Sequence, residues 1–384
     1  MYFQTRYLQE KKTFDSLTGL DTIDLPNKGL LSGIELNIDG ICGDGADLPD
    51  VWLHNRLTKL ELVVNGSKVV KSLSGDQLLA DMLYKRTPLY THDMKNKSGA
   101  SCEEFFHINL GRHYHDLDYM LDLSKVNDPE LRIEYDFKKT GHNGWTKGVA
   151  MSDEPNRSVV LHLLREPPME PKGYIKTSEI YRFTGGPSFS SKKENMTIPR
   201  GPVYSNLYLQ SFYAAQGLTL LLDKVELNFN NDAIIPLRVG PLELSAELAR
   251  KYGLFRWTEQ ASYKGGQAYP MALEVGHFQP QLIGLLAYIP GYMDLWGQNN
   301  SLGFKDIATG LEPYTGNVNV AFTILGALPF SVAAIPYFDP WDERTWVDSK
   351  ELGDFWLRVE GNTSMGTSVA LKLLADEVVT SYAI

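Results

Sequence analysis

The sequence predicts an all-β chain built as two tandem β-sandwiches, each with a short helix and long loops. Three observations predict it. Short segments alternating apolar and polar residues, bounded by turn residues, recur along the chain. Their order in the first half returns in the second. A Pro-rich stretch, Arg165-Glu-Pro-Pro-Met-Glu-Pro-Lys172, separates the two copies, and proline cannot join a sheet interior. The chain has 384 residues, long for one core and comfortable for two. Its 33 Gly and 20 Pro supply the turns that many short strands need.

In chain order, Ile34-Glu-Leu-Asn-Ile38 alternates, so one face meets a core and the other solvent. Leu60–Val64 runs into Asn65-Gly66, a strong tight-turn pair, and Lys68-Val69-Val70 resumes the extended chain. Asp76–Tyr84 reads as a helix with Leu78, Leu79, Met82 and Leu83 on one stripe and Ser74 or Asp76 as cap. Leu131–Tyr135 and Val159–Leu163 are further strands. The second copy starts near Gly173. Lys59-Leu-Glu-Leu-Val-Val-Asn65 matches Lys224-Val-Glu-Leu-Asn-Phe-Asn230 at an offset of 165 residues. The same offset pairs Gly75 with Gly240, Leu79 with Leu244 and Leu83 with Leu248. Leu131-Arg-Ile-Glu134 then resembles Leu357-Arg-Val-Glu360, and Ser158–Leu164 resembles Ser368–Leu374. Gly253 is a natural stop for the second helix. Two units follow, 1–168 and 169–384, the second with a loop insertion near 254–320, a type of insertion that a surface loop tolerates.

Composition excludes some function classes. The net charge of -10 argues against coating nucleic acid, which requires clustered Lys and Arg, so no specific nucleic-acid recognition is expected. Two cysteines, Cys42 and Cys102, form no CxxC pair and suit a reducing compartment at synthesis. The longest apolar runs, such as 321–335, are interrupted and fall short of a membrane span. The first residues lack a signal-peptide profile, so the chain is expected to start near Met1 and to be made in the cytoplasm.

Four groups of residues invite a chemical reading. His107, His113 and His115 lie near Asp116 and Asp118; on a strand, His113 and His115 would share a face and hold a metal. A polar surface is the preferred reading. Asp39, Asp44, Asp47 and Asp50 surround Gly40, Gly43 and Gly45, but their spacing is not that of a calcium loop, and a solvated turn is preferred. Asp339, Asp342, Glu343 and Asp348 flank Trp341 and Trp346, as carboxylates do at sugar-processing sites, yet packed Trp side chains in a loop explain them equally well. Gly185-Gly186 and Gly265-Gly266 have no phosphate-loop context. No catalytic, cofactor-binding or metal-ligating residue is therefore assigned, and no cofactor is expected.

Two tandem sandwiches, one helix per unit, long inserted loops and no catalytic signature together resemble the double jelly-roll major capsid proteins of the adenovirus–tectivirus lineage. The likeness is greatest to tailless membrane-containing bacteriophages of the Flavobacterium lipid-containing type. It covers essentially the whole chain and rests on fold, so no residue's role is carried over. The resemblance implies a non-enzymatic virion protein. Its trimers would form pseudo-hexameric tiles of an icosahedral shell, around an internal lipid membrane and beside other capsid proteins such as a penton. It also implies that the 254–320 insert, with Tyr269, Tyr292, Trp296 and Tyr314, is an outer tower. The Met1–Lys12 arm, with Arg6, Lys11 and Lys12, would point inward to lipid head groups. The alternatives are a jelly-roll carbohydrate-binding module or a glycan-processing amidase.

Overall fold

The structure is a computed structural model. It describes residues 1–41, 51–87, 95–96, 101–141, 150–167, 169–185, 192–212, 217–264, 269–270, 273–274, 281–285, 293–298, 301–306, 317–362 and 369–380. Eight strands form the first sandwich: β1 (Tyr2–Thr13), β2 (Thr18–Asp24), β3 (Leu30–Ile41), β4 (Leu57–Val64), β5 (Lys68–Leu73), β6 (Ser101–Asn109), β7 (Glu130–Asp136) and β8 (Asn156–Arg165). Eight more form the second: β9 (Tyr174–Gly185), β10 (Lys193–Thr197), β11 (Val203–Phe212), β12 (Leu222–Phe229), β13 (Ile234–Val239), β14 (Val332–Ala334), β15 (Phe355–Gly361) and β16 (Val369–Val379).

The two halves follow one path. In the first, the neighbour orders are β1-β8-β3-β6 and β2-β7-β4-β5; in the second they are β9-β16-β11-β14 and β10-β15-β12-β13. Each order in the second half is that of the first with eight added to every strand number. Helix α1 (Gly75–Tyr84) follows β5, and α2 (Pro241–Tyr252) follows β13. These are two tandem jelly rolls, each with its helix at the same point.

The repeated blocks occupy equivalent registers. Glu61 lies opposite Arg132, and its counterpart Glu226 lies opposite Arg358. Leu62 faces Leu131 as Leu227 faces Leu357. Alternate residues of these strands fill each core: Leu60, Leu62, Leu131 and Ile133 meet Ile34, Leu36, Phe106 and Leu161, all buried. Burying each such side chain contributes about 1.5–3 kcal/mol. Val225, Leu227, Leu357 and Val359 do the same against Leu207, Leu209, Leu371 and Leu373.

Helix α1 is capped by Ser74, whose Oγ accepts from Gln77 N while Gln77 Oε1 accepts from Ser74 N. Its stripe of four apolar residues predicts one buried face, but all ten residues are buried. Helix α2 buries only Pro241, Leu244 and Leu248. The difference is tertiary: α1 has the second roll on its other side.

Two expectations change here. Residues 2–13, within the segment read as an arm, form a strand that pairs along β8 from Tyr2↔Arg165 to Thr13↔Asn156 as the edge of the sheet. The insert read as loop carries strands: Phe255–Lys264 pairs antiparallel with Asn317–Gly326, and Met293–Gln298 with Ser301–Asp306. Lys95–Asn96, after α1, pairs in parallel with Gln260 and Ala261. The two post-helix connections thus meet at one end. Trp296 and Tyr269 lie on insert strands, while Tyr292 and Tyr314 lie outside the described residues. Among the described residues, no helix is long and apolar enough to cross a membrane.

Candidate functional site

The rolls meet where β5 hands over to β9. Lys71 and Ser72 pair in parallel with Thr177 and Ser178, so a sheet of the first roll continues into a sheet of the second. The connector reaches β9 through Gly173, whose φ is +154°; a Cβ there would stand 2.0 Å from the Val379 carbonyl oxygen, so this close approach requires glycine.

Behind the handover lies a buried polar network contributed by both rolls. Lys85 Nζ sits 2.6 Å from Asp81 Oδ1 and 3.2 Å from Asp376 Oδ1. Thr177 Oγ1 donates to Asp376 Oδ1 at 2.5 Å, and Tyr208 OH donates to Asp376 Oδ2 at 2.8 Å. Lys71 Nζ donates to Thr177 Oγ1. Burial first, then the charge of Lys85, pushes Lys71 down to about 7. Burial also opposes charge on Lys85 and Asp376. The facing Asp376 and Asp81 nevertheless hold Lys85 above its ordinary value, and Lys85 and Lys71 hold Asp376 below the usual carboxylate range. Burial raises Asp81.

Other ties surround the network. Gln77 Nε2 donates to Gln210 Oε1 at 2.9 Å, and Tyr84 OH to the Val332 carbonyl at 2.8 Å. Phe330 meets His54 edge-on at 5.0 Å. At the rim, Glu343 Oε1 joins Lys172 Nζ at 2.7 Å and Arg112 Nη1 at 3.3 Å.

The acidic group around the tryptophans serves local structure. Asp342 and Asp348 accept from Arg344 N and Lys350 N, capping two short 3-10 turns. Asp339 Oδ1 accepts from Trp341 N at 3.1 Å, and Arg86 lies over the Trp341 ring at 3.9 Å. Asp39 Oδ1 accepts from Asn156 Nδ2; Asp44, Asp47 and Asp50 lie outside the described residues.

His113 and His115 are not on a strand. They lie in the bend after β6, where His115 has φ +57°. Asp116 accepts from Arg112 N and its guanidinium; burial opposes that charge, but Arg112 holds the carboxyl below its ordinary range. The bend folds back over the outer face of the β1-β8-β3-β6 sheet and creates a cluster that sequence reading did not assemble. Glu35 on β3 lies opposite His107 on β6, and His162 on β8 lies opposite Gly33. One ligand atom from each of Glu35, His107 and His162 lies within 4.8 Å of the others. Burial, then the neighbouring His162 and His115, lowers His107 to about 3. Burial and His162 lower His115 to about 4. Only His107 carried a sequence signal. Glu35 and His162 look like ordinary alternating strand residues until the strand order is known.

No family model matches the sequence, and no curated protein matches it. Solved structures do match, over nearly the full length. A chain from the atomic structure of Sulfolobus Turreted Icosahedral Virus aligns with TM-score 0.58 and 12% identity, covering 99% of this chain and 91% of that one. The major capsid protein P2 of Bacteriophage PM2 aligns with TM-score 0.52 and 10% identity, covering 98% of each chain. PBCV-1 VP54 gives TM-score 0.53 and 10% identity, covering 98% and 95%.

This chain has the double jelly-roll fold.

Coverage this complete leaves neither roll of the double jelly roll without a counterpart. At 10–12% identity the likeness concerns the fold, and the side-chain clusters described above belong to this chain.

Proposed function

We propose that this chain is a viral major capsid protein, non-enzymatic, whose trimers form pseudo-hexameric tiles of an icosahedral shell. The observation that carries the reading is a mismatch between covered and uncovered copies of one surface. Within the chain, β5 and α1 of the first roll are covered by β9 and its neighbours. The equivalent surface of the second roll is β13 and α2; the equivalent of β9 is β1. Among the described residues, β13 and β1 each end a sheet with one side unpaired. The strands expose Ile234 (52%), Tyr2 (55%) and Tyr7 (60%), and α2, after β13, exposes Leu242 (47%). An unpaired edge with apolar side chains invites pairing with another chain. Repeating the internal junction between chains would set β13 of one against β1 of the next. Such a head-to-tail contact makes a ring when its rotation closes, and six rolls from three chains give a near-sixfold tile.

The reading places the boundary between rolls at 168/169 and the protein in the virion after synthesis in the host cytoplasm. Its further partners are a penton protein and an internal lipid membrane. The likeness to the major capsid protein P2 of Bacteriophage PM2 supports it, as does the use of the Trp-flanking carboxylates as caps. Light scattering on a sizing column tests it: the full chain is expected at three times its monomer mass. A stable monomer at micromolar concentration that binds oligosaccharide would overturn it in favour of the carbohydrate-binding alternative.

A further inference from the structure

We propose that Glu35, His107 and His162 bind a divalent transition-metal ion of the zinc class, with His115 as the fourth candidate ligand. The proposal is independent of the capsid reading. Its first support is placement. The three ligands stand on three adjacent strands of one sheet, within 4.8 Å of one another. Bonds of zinc to nitrogen and oxygen put neighbouring tetrahedral ligand atoms about 3.4 Å apart, and His162 Nε2 already lies 3.6 Å from Glu35 Oε2. His107 offers a ring nitrogen within 4.8 Å of both. Gly33 makes room for that ring: a Cβ at this position would lie 2.4 Å from His107 Nε2.

The second support is unmet bonding. His107 and His162 are 4% and 5% exposed. Both ring nitrogens of His162, and Nε2 of His115, are buried without a hydrogen-bond partner. A buried polar atom left so costs about 1–3 kcal/mol, and a metal ion would take up one ring nitrogen of His162 and Nε2 of His115. The rings of His115 and His162 are 5.5 Å apart. His115 is held by stacking between Phe3 at 3.9 Å and Tyr114 at 3.8 Å. Imidazoles with one carboxylate select zinc-class ions over calcium or magnesium, which prefer all-oxygen shells. Phe3, Tyr114 and His115 stack beside the site, which suits a structural ion pinning the 110–116 bend to the sheet.

The test uses the full chain, stripped with chelator and titrated with Co²⁺ and then Zn²⁺, followed by visible absorption and calorimetry. One Co²⁺ per chain with tetrahedral ligand-field bands, displaced by Zn²⁺, is expected. Glu35→Gln and His162→Gln should each weaken binding by at least about tenfold, while His113→Ala leaves it unchanged. Absence of stoichiometric binding by the unsubstituted chain, or equal binding by the Gln variants, overturns the proposal. X-ray absorption on the zinc-loaded unsubstituted chain needs no variant to fold: two or three imidazole ligands are expected, and an oxygen-only shell overturns the assignment.

Discussion

Lys85 keeps its charge in a place with almost no solvent because two carboxylates from different rolls face it. Removing one member of such a group strands the others. Lys85→Met should therefore destabilise the chain by about 3–5 kcal/mol, read as a lower denaturant midpoint. Lys71→Met should cost less than half as much, because Lys71 is itself disfavoured as a cation by burial and by Lys85. The pH dependence separates the two. Lys71 sits near 7 folded against its ordinary 10.5, so between those values the folded chain binds fewer protons than the unfolded one. Stability from this group is absent below pH 7 and grows as pH rises through that window, by up to about 1.4 kcal/mol per unit. Denaturation curves at neutral and mildly alkaline pH should show the gain, and Lys71→Met should flatten it. If the variant keeps the full slope, Lys71 is not the group that titrates.

At the scale of elements, duplication preserved backbone solutions as well as residues. Asn65 and Asn230 end equivalent strands with φ +53° in both copies, a conformation that Asn tolerates better than most residues. Asn65 Oδ1 accepts from Asn127 N, and Asn230 Oδ1 from Gly353 N, each at 2.7 Å. Each Asn thus ties its turn to the segment leading into β7 or β15. Asn65→Ala and Asn230→Ala should each cost about 1–3 kcal/mol through strain and the lost bond, and the Gly variants should cost less because only the bond is lost. A Gly variant no better than Ala in calorimetry would remove strain from the account. The Asn65-Gly66 turn, the repeated strands and both helices were legible because their signals are local: Asn-Gly, alternation, Ser74 and Gly253. The insert strands were not, since their Gly, Tyr and Pro content hid the alternation in Asn317-Val-Asn-Val-Ala-Phe322.

For the whole molecule, the open edges set the expected assembly. β1 carries Arg6, Lys11 and Lys12, so added positive charge on the edge proposed to face it should repel. Ile234→Lys with Ile235→Lys is expected to convert trimers to monomers on a sizing column with an unchanged circular dichroism spectrum. Trimers that persist would move the interface elsewhere. By itself the sequence determined the strand-rich class, the two helices and the duplication with its block order, because period-2 patterning and copied residues need no knowledge of distant chain. Only the tertiary structure decided that residues 2–13 close a sheet, that α1 is buried on all sides while α2 is not, and that Glu35, His107 and His162 converge. Jelly-roll neighbours such as β1 and β8 are separated by most of a domain of sequence, and which side chains meet across them depends on strand order, which no local pattern encodes.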